Sequence, residues 1–370
     1  MSVSLSGRYA RQGRQALAGL LTWAEGQRTL RLGRDRRPLR LLWLDDASQP
    51  GLAARNMERL AGDGAHVLIG PYGSDLALAA ARATAALGRL LWNQGGASDS
   101  PHEVGGRVIG LMTPAWRYFT AFPDLARALG CGSGPLVVVH REGRFGRECA
   151  AGALQAATAA GLEAVVLPYH RPEELPSLAR TAGNAPVLLA ATPFEDGVAL
   201  ARALLALPRR PLACGLVAAA LADFGRALGE KAEGFLAPSQ WEPALPLEPD
   251  MGPPPREVAR RLVARGAEPD YTAAQAFAAG LIAGHCLERA GTTDEEAVWR
   301  AALSLRCTTF FGHFALEPGS GRQVGHDVVW VQWRGGHKVT VWPPWAGAPS
   351  GSLGPSDGGP GLPGTPGGSG

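Results

Sequence analysis

Gly70-Pro71-Tyr72-Gly73-Ser74 joins an apolar run, His66 to Ile69, to an Ala-rich helical stretch, Asp75 to Leu87. A strand that ends in a Gly/Ser turn and restarts as a helix leaves backbone N–H groups facing outward at the positive end of the helix dipole. Such a turn is a small anion site. Ser74 adds a hydroxyl donor and Tyr72 an aromatic wall. The next run, Arg89 to Asn93, ends in a second turn of this kind, Gln94-Gly95-Gly96-Ala97-Ser98. One Gly/Ser turn is an ordinary connection between a strand and a helix. Two in succession suit one carboxylate-sized ligand.

Outward from this pair, the chain alternates short apolar runs with amphipathic helical stretches as far as about Pro238. Leu136-Val137-Val138-Val139 and Val187-Leu188-Leu189-Ala190 are apolar throughout, as strands buried on both faces are. Strand and helix in alternation predict parallel sheets covered on both sides. After Trp241 a Pro-rich stretch, Pro243 to Pro255, leads into three helical segments. Two strand patterns then flank Gly335-Gly336, a hairpin signal. The expected architecture is α/β, two doubly wound parallel-sheet lobes joined by a three-segment hinge near Thr113-Pro114, Ser239 to Pro243 and Phe311 to Leu316. The lobes comprise residues 1–113 with 242–311, and 114–241 with 312–345. Gly, Pro and Ser dominate residues 346–370, which are expected to form a disordered tail. Strand ends of the two lobes then face a shared cleft.

At 370 residues the chain exceeds what one core usually organises. With 46% hydrophobic and 19% charged residues it has a globular composition, and its net charge of +3 is too small and dispersed to imply nucleic acid. Five scattered cysteines without a CxxC pair indicate neither a disulfide framework nor a zinc site, and the eight histidines lack metal-ligand spacing. No metal or cofactor is expected. No apolar run reaches the length of a membrane span. No charged region followed by an apolar export segment precedes Met1-Ser2-Val3-Ser4-Leu5. The expectation is either a cytosolic protein or one whose leader lies outside this sequence.

No GxSxG elbow, GxxxxGK[ST] loop or GxGxxG turn after a strand occurs, so no enzyme activity is expected. Asp45-Asp46 ends a strand, yet adjacent strand residues point to opposite faces and cannot share one substrate easily. Loop or capping roles suit them better. Arg141-Glu142-Gly143-Arg144-Phe145-Gly146 follows the strand at 136–140 and precedes a helix. Phe145 is placed at the cleft mouth, to close over a ligand or to pack on its own helix.

Several stretches in order resemble the type I periplasmic solute-binding proteins of the leucine/isoleucine/valine-binding kind, which serve ABC importers. They are Leu5 to Gly13, Asp45 to Pro50, Ile69 to Ser74, Gly96-Ala97-Ser98, Arg144-Phe145-Gly146, Ala232 to Phe235, Thr309 to Gly312, Val331-Gln332-Trp333 and Val341-Trp342-Pro343. The resemblance implies a monomer that closes two lobes on a small ligand and delivers it to an ABC permease, without catalysis. It places the ligand carboxylate on Ser74, Ala97 and Ser98. Tyr72 and Gly73 would line the side-chain pocket, Gln12 its entrance, and Phe145 the second lobe. The acid that holds an α-ammonium in amino-acid binders is replaced here by Leu216-Val217-Ala218, and an expected aromatic by Thr192. A buried ammonium without a counter-charge costs several kcal/mol. The ligand therefore either lacks an α-ammonium or meets another acid, such as Asp196 or Glu142. Trp116 and Trp241 offer an apolar or cation–π surface, or pack the hinge.

Three functions follow from this reading. The first is a periplasmic receptor that captures an amino acid or related carboxylate for an ABC permease. The second is a cytosolic, amide-type sensor on the same fold. A hydrolase or sugar-modifying enzyme is the third, and it lacks a nucleophile and base.

Overall fold

The computed structural model describes residues 1–131 and 134–344. The expected tail, residues 346–370, lies outside the described residues. In chain order the first group of elements is β1 (Ser2–Val3), α1 (Ala10–Gly26), β2 (Thr29–Leu32), β3 (Asp35–Pro38), β4 (Leu44–Asp45), α2 (Pro50–Gly62), β5 (Leu68–Ile69), α3 (Ser74–Ala86), β6 (Leu91–Asn93) and β7 (Val108–Gly110). The second group is α4 (Phe122–Ala128), β8 (Leu136–Arg141), α5 (Arg144–Ala159), β9 (Ala164–Tyr169), α6 (Leu175–Ala182), β10 (Val187–Ala191), α7 (Phe194–Leu205), β11 (Ala213–Leu216), α8 (Ala222–Leu228) and β12 (Leu236–Ser239). The chain ends with α9 (Pro255–Ala264), α10 (Tyr271–Ala290), α11 (Glu295–Ser304), β13 (Cys307–Thr309), β14 (Gly312–Phe314), β15 (Val329–Arg334) and β16 (His337–Trp342).

One sheet runs β16-β15-β12-β11-β10-β8-β9, parallel from β12 to β9 and closed by the antiparallel β15–β16 hairpin. Its central strands, β8 and β10, are buried almost throughout, as their unbroken apolar sequence requires. Of the other strands, β4-β1 and β5-β6-β7 form smaller parallel pairings, and β2-β3 and β13-β14 antiparallel ones. In this half, α1 and α10 supply much of the core. Gly19 is needed at their contact, because a Cβ there would fall 1.9 Å from the Ala273 carbonyl oxygen.

Three passages between the groups are tied to one another. The Gln240 side chain accepts from Thr113 N–H at 3.0 Å and donates to the Thr113 carbonyl at 3.1 Å. Thr113 Oγ1 donates to the His326 carbonyl at 3.2 Å. The third crossing, expected near Phe311 to Leu316, falls instead on the β13–β14 hairpin of residues 307–314, and the chain enters the large sheet at Val329. A second tie is ionic: Lys338 of β16 donates to Glu242 at 2.9 Å and to Asp270 at 3.0 Å, all nearly enclosed. The two carboxylates hold the Lys338 ammonium above its ordinary pKa despite burial.

The predicted strand at Leu39 to Leu44 survives only as β4, because its partner β1 spans two residues. The β2–β3 hairpin and α6 were not expected: four-residue strands rich in Arg carry little periodic signal, and α6, although amphipathic, is only eight residues long.

Candidate functional site

A cavity of about 230 Å³ opens between the two groups of elements. Three helix amino ends converge on it: residues 73–75 start α3, 143–146 start α5, and 193–194 start α7. In α3 the first helical bond is Ala77 N–H to the Gly73 carbonyl, so the N–H groups of Ser74, Asp75 and Leu76 have no acceptor within the helix. Gly73 has φ 104°, and a Cβ there would meet the Tyr9 ring at 2.9 Å. Only glycine makes this turn without pushing the cavity wall aside.

Six aromatic rings line the cavity: Tyr9, Tyr72, Tyr118, Phe145, Phe194 and Tyr271. Tyr9 and Tyr72 meet edge-to-face at 5.6 Å, and Tyr118 and Phe145 at 5.3 Å. The Tyr72 and Tyr271 hydroxyls share a hydrogen bond of 3.0 Å, and Tyr118 accepts from Gln240 Nε2 at 2.9 Å. Burial pushes the Tyr72 phenol up to about 12, so it stays a neutral donor at ordinary pH.

The charges at the mouth are unequal. Arg8, Arg141 and Arg144 face Asp75 and Glu142. Glu142 pairs with Arg147 at 2.9 Å, which holds its carboxyl below the usual range, and Asp75 lies 3.5 Å from Arg144. Arg141 pairs with Asp196, which also accepts from the Tyr169 hydroxyl at 2.7 Å. Arg8 has no carboxylate partner among the described residues and lies over the Tyr9 ring, 4.6 Å from its centroid. Asp196 and Glu142, the acids suggested as replacements for the missing one, are thus both occupied by arginine. Val217 and Ala218 line the cavity where that acid was expected.

Of the ten candidate residues named from the sequence, Gln12, Tyr72, Gly73, Ser74, Ala97, Phe145 and Thr192 line this cavity. Ser98 does not: its hydroxyl turns inward to Ser100 at 2.9 Å, while its backbone N–H donates to Ser74 Oγ at 3.2 Å. It orients the Ser74 hydroxyl. Trp116 lies on an outer turn, 38% exposed, with Arg117 over its ring. Trp241 is wholly buried, donating to the Phe310 carbonyl at 2.8 Å. Neither indole reaches the cavity, because both turns aim their side chains away from it. Gln12 Oε1 and Thr192 Oγ1 are buried without a partner among the described residues. Asp45 and Asp46 bind the N-terminal turn: Asp46 accepts from Ser2 and Ser4, and Asp45 from Leu5 and Ser6. Sequence reading missed Tyr9, Tyr118, Phe194 and Tyr271 as wall residues. Tyr9 alone stood inside a stretch already singled out.

A family model described as periplasmic binding protein matches residues 1–338. A leucine-binding protein from Thermotoga maritima has the same fold, with TM-score 0.79 and 18% identity over 92% of this chain and 96% of that one. A solute-binding protein of an R. palustris ABC transporter, solved with benzoate, gives TM-score 0.75 and 18% identity over 92% and 94%. The substrate-binding protein from Desulfitobacterium hafniense, solved with Leu, gives 0.74 and 17% over 92% and 99%. No curated protein matches. Among the described residues no helix is long and apolar enough to cross a membrane. The two-lobed parallel α/β fold, the cavity between the lobes and the match along 338 residues lead to one conclusion: this chain belongs to the periplasmic binding protein family.

Proposed function

We propose that the chain is the periplasmic solute-binding component of an ABC importer and that its ligand is an aromatic carboxylate without an α-ammonium. One observation carries this reading: three helix amino ends and Arg8, which donates to the Tyr9 hydroxyl but has no carboxylate partner among the described residues, surround the cavity, while both lining carboxylates are already paired with arginine. The surroundings favour an anion and offer a buried ammonium no counter-charge. Ser74 and the α3 amino end hold the carboxylate. Ala97 and Gly73 let it approach, and the six rings stack on an apolar body. Phe145, Thr192 and the α5 amino end come from the far side and close over it. The lobes exchange the chain at Thr113, Gln240 and His326, and closure turns on those three residues. Binding is stoichiometric, without turnover, and the closed monomer is what the permease receives. The benzoate complex of the R. palustris protein supports this ligand class, and the leucine-binding relatives support the amino-acid alternative.

Calorimetric titration with benzoate, 4-hydroxybenzoate and leucine tests the proposal. Heat from an aromatic acid and none from leucine is expected. Binding of leucine alone would overturn the ligand class.

A further inference from the structure

Helix α5 touches the opposite lobe at two points, one turn apart. At the cleft mouth Arg144 lies 3.5 Å from Asp75 at the start of α3. Behind it, Glu148 Oε2 accepts from the Asp99 N–H at 2.9 Å. Neither contact belongs to the passages at Thr113, Gln240 and His326 on which closure turns.

The two points differ in charge. Arg144 meets a carboxylate, whereas Glu148 has no basic partner within salt-bridge distance among the described residues. Across the boundary it faces acids, Asp99 and Glu103. The arginine beside them, Arg322, is already shared by Asp99 at 3.2 Å, Glu103 at 3.7 Å and Glu317 at 3.4 Å. On the helix itself Arg144 leans to Asp75 and Arg147 to Glu142. The elements packed around α5 supply no further counter-charge. Arg117 is tied to Asp327, Asp124 and Arg127 of α4 pair with each other, and His140 of β8 lies beside Gly146 on the sheet face. Burial pulls the His102 imidazole down to about 4 and pushes the Cys149 thiol up, so both stay neutral near pH 7. Burial, and then the charges of Asp99 and Glu103, push the Glu148 carboxyl up to about 7 from its ordinary 4.5, although the Asp99 N–H and Arg144 act the other way.

We propose that Glu148 is a proton-operated clasp of the cleft: its neutral carboxyl holds α5 against Asp99, and its ionised form drives the lobes apart. The clasp rests on the proposed closure of the lobes over a ligand. On closing, the carboxyl leaves water and takes one proton from solvent, and its carbonyl oxygen still accepts from the Asp99 N–H. On opening, water and distance from Asp99 and Glu103 return it to the ordinary carboxylate range, and the proton leaves. A group that holds its proton more tightly in the closed state favours closure at low pH and loses that contribution as pH rises through about 7. Between pH 8 and pH 6 the closed state gains about tenfold over the open one. Binding that selects the closed state tightens by the same factor. Glu148 lies outside the cavity lining and acts as a positioning residue.

The test is calorimetric titration of the full chain and of Glu148→Gln at pH 8 and pH 6, each with benzoate, 4-hydroxybenzoate and leucine. Glutamine has the size of the neutral acid and keeps an oxygen for the Asp99 N–H. The unaltered chain is expected to bind about tenfold more tightly at pH 6 than at pH 8. At pH 8 Glu148→Gln is expected to bind about tenfold more tightly than the unaltered chain and to lose the pH step. The ratio is the same for whichever ligand gives heat, so an error in the ligand class leaves it intact. Equal pH ratios in the two proteins would overturn the clasp. So would weaker binding by Glu148→Gln at pH 8, which is what loss of a merely structural hydrogen bond gives. If none of the three ligands gives heat, the binding proposal fails separately, and small-angle scattering of the ligand-free protein decides on the clasp. A smaller radius of gyration at pH 6 than at pH 8, with Glu148→Gln compact at both, is expected; equal radii for the unaltered chain would overturn it.

Discussion

The two sheet groups differ in how completely their strands are paired. The large sheet is continuous over seven strands, and its buried β10 has a neighbour on each side. The smaller group is split into β4-β1 and β5-β6-β7, with an apolar slot between residues 37–42 and 63–67 beside them, and much of its core comes from α1 against α10. Both groups nevertheless present helix amino ends to the same cleft. The ligand site proposed for this cleft needs well-placed helix starts more than it needs an unbroken sheet, because in that proposal the N–H groups and not the strands meet the anion.

Breaking the tie between the groups gives the largest expected effect. Lys338→Met removes the ammonium shared by Glu242 and Asp270 and leaves two buried carboxylates facing each other. A loss of about 3–5 kcal/mol is expected in denaturant titration, with the single unfolding transition separating into two. An unchanged midpoint would show that the groups are held together elsewhere.

Packing provides the next contrast. Leu189 lies wholly buried in β10, whereas Leu20 borders the slot. Leu189→Ala is expected to cost about 3–4 kcal/mol, and Leu20→Ala only about 2, because Leu20 already lacks neighbours on one side. Equal losses would mean that the slot is closed in solution.

Acid sharpens the comparison at the passage between the groups. His326 carries its pKa lowered to about 4 by burial, with its Nδ1 at 2.9 Å from the His313 carbonyl oxygen. Between about pH 6.5 and 4 the unfolded chain binds this proton and the folded chain does not, so stability falls as pH drops through that window. The contribution is about 2 kcal/mol after allowing for partial exposure of the residue. His326→Gln should flatten that part of the stability profile; an unchanged slope would place the acid sensitivity in other groups.

The smallest effect concerns the anion seat itself. Ser74→Ala removes a hydroxyl whose orientation Ser98 N–H fixes, and should weaken carboxylate binding by about 1–2 kcal/mol with Tm unchanged. An unaltered dissociation constant would remove Ser74 from the site.

The turn proposed as the anion seat was legible in the sequence because its parts are local: a strand, a Gly/Ser turn and a helix within about 20 residues of one another. Tyr72, Ser74 and Phe145 could be named from such short stretches, and Gln12 from the family resemblance. The aromatic wall was less legible. Tyr118, Phe194 and Tyr271 come from three separate helical starts, and nothing in their neighbours distinguishes a cleft ring from a core ring. Trp116 and Trp241 illustrate the reverse, since nearness to a crossing in sequence does not fix which way an indole points. The ionic tie was also hidden, since Glu242, Asp270 and Lys338 stand far apart in sequence. The missing acid at Val217 was readable as an absence, but its meaning needed the arginines that occupy Asp196 and Glu142.

The most direct measurement is a calorimetric comparison of two isosteric pairs, 3-phenylpropanoate with phenylalanine and 4-methylpentanoate with leucine, each differing in the α-ammonium group. Tighter binding of the desamino acid in both pairs, by about tenfold or more, is the result predicted for a cleft with a spare positive charge. Tighter binding of the amino acids would contradict it.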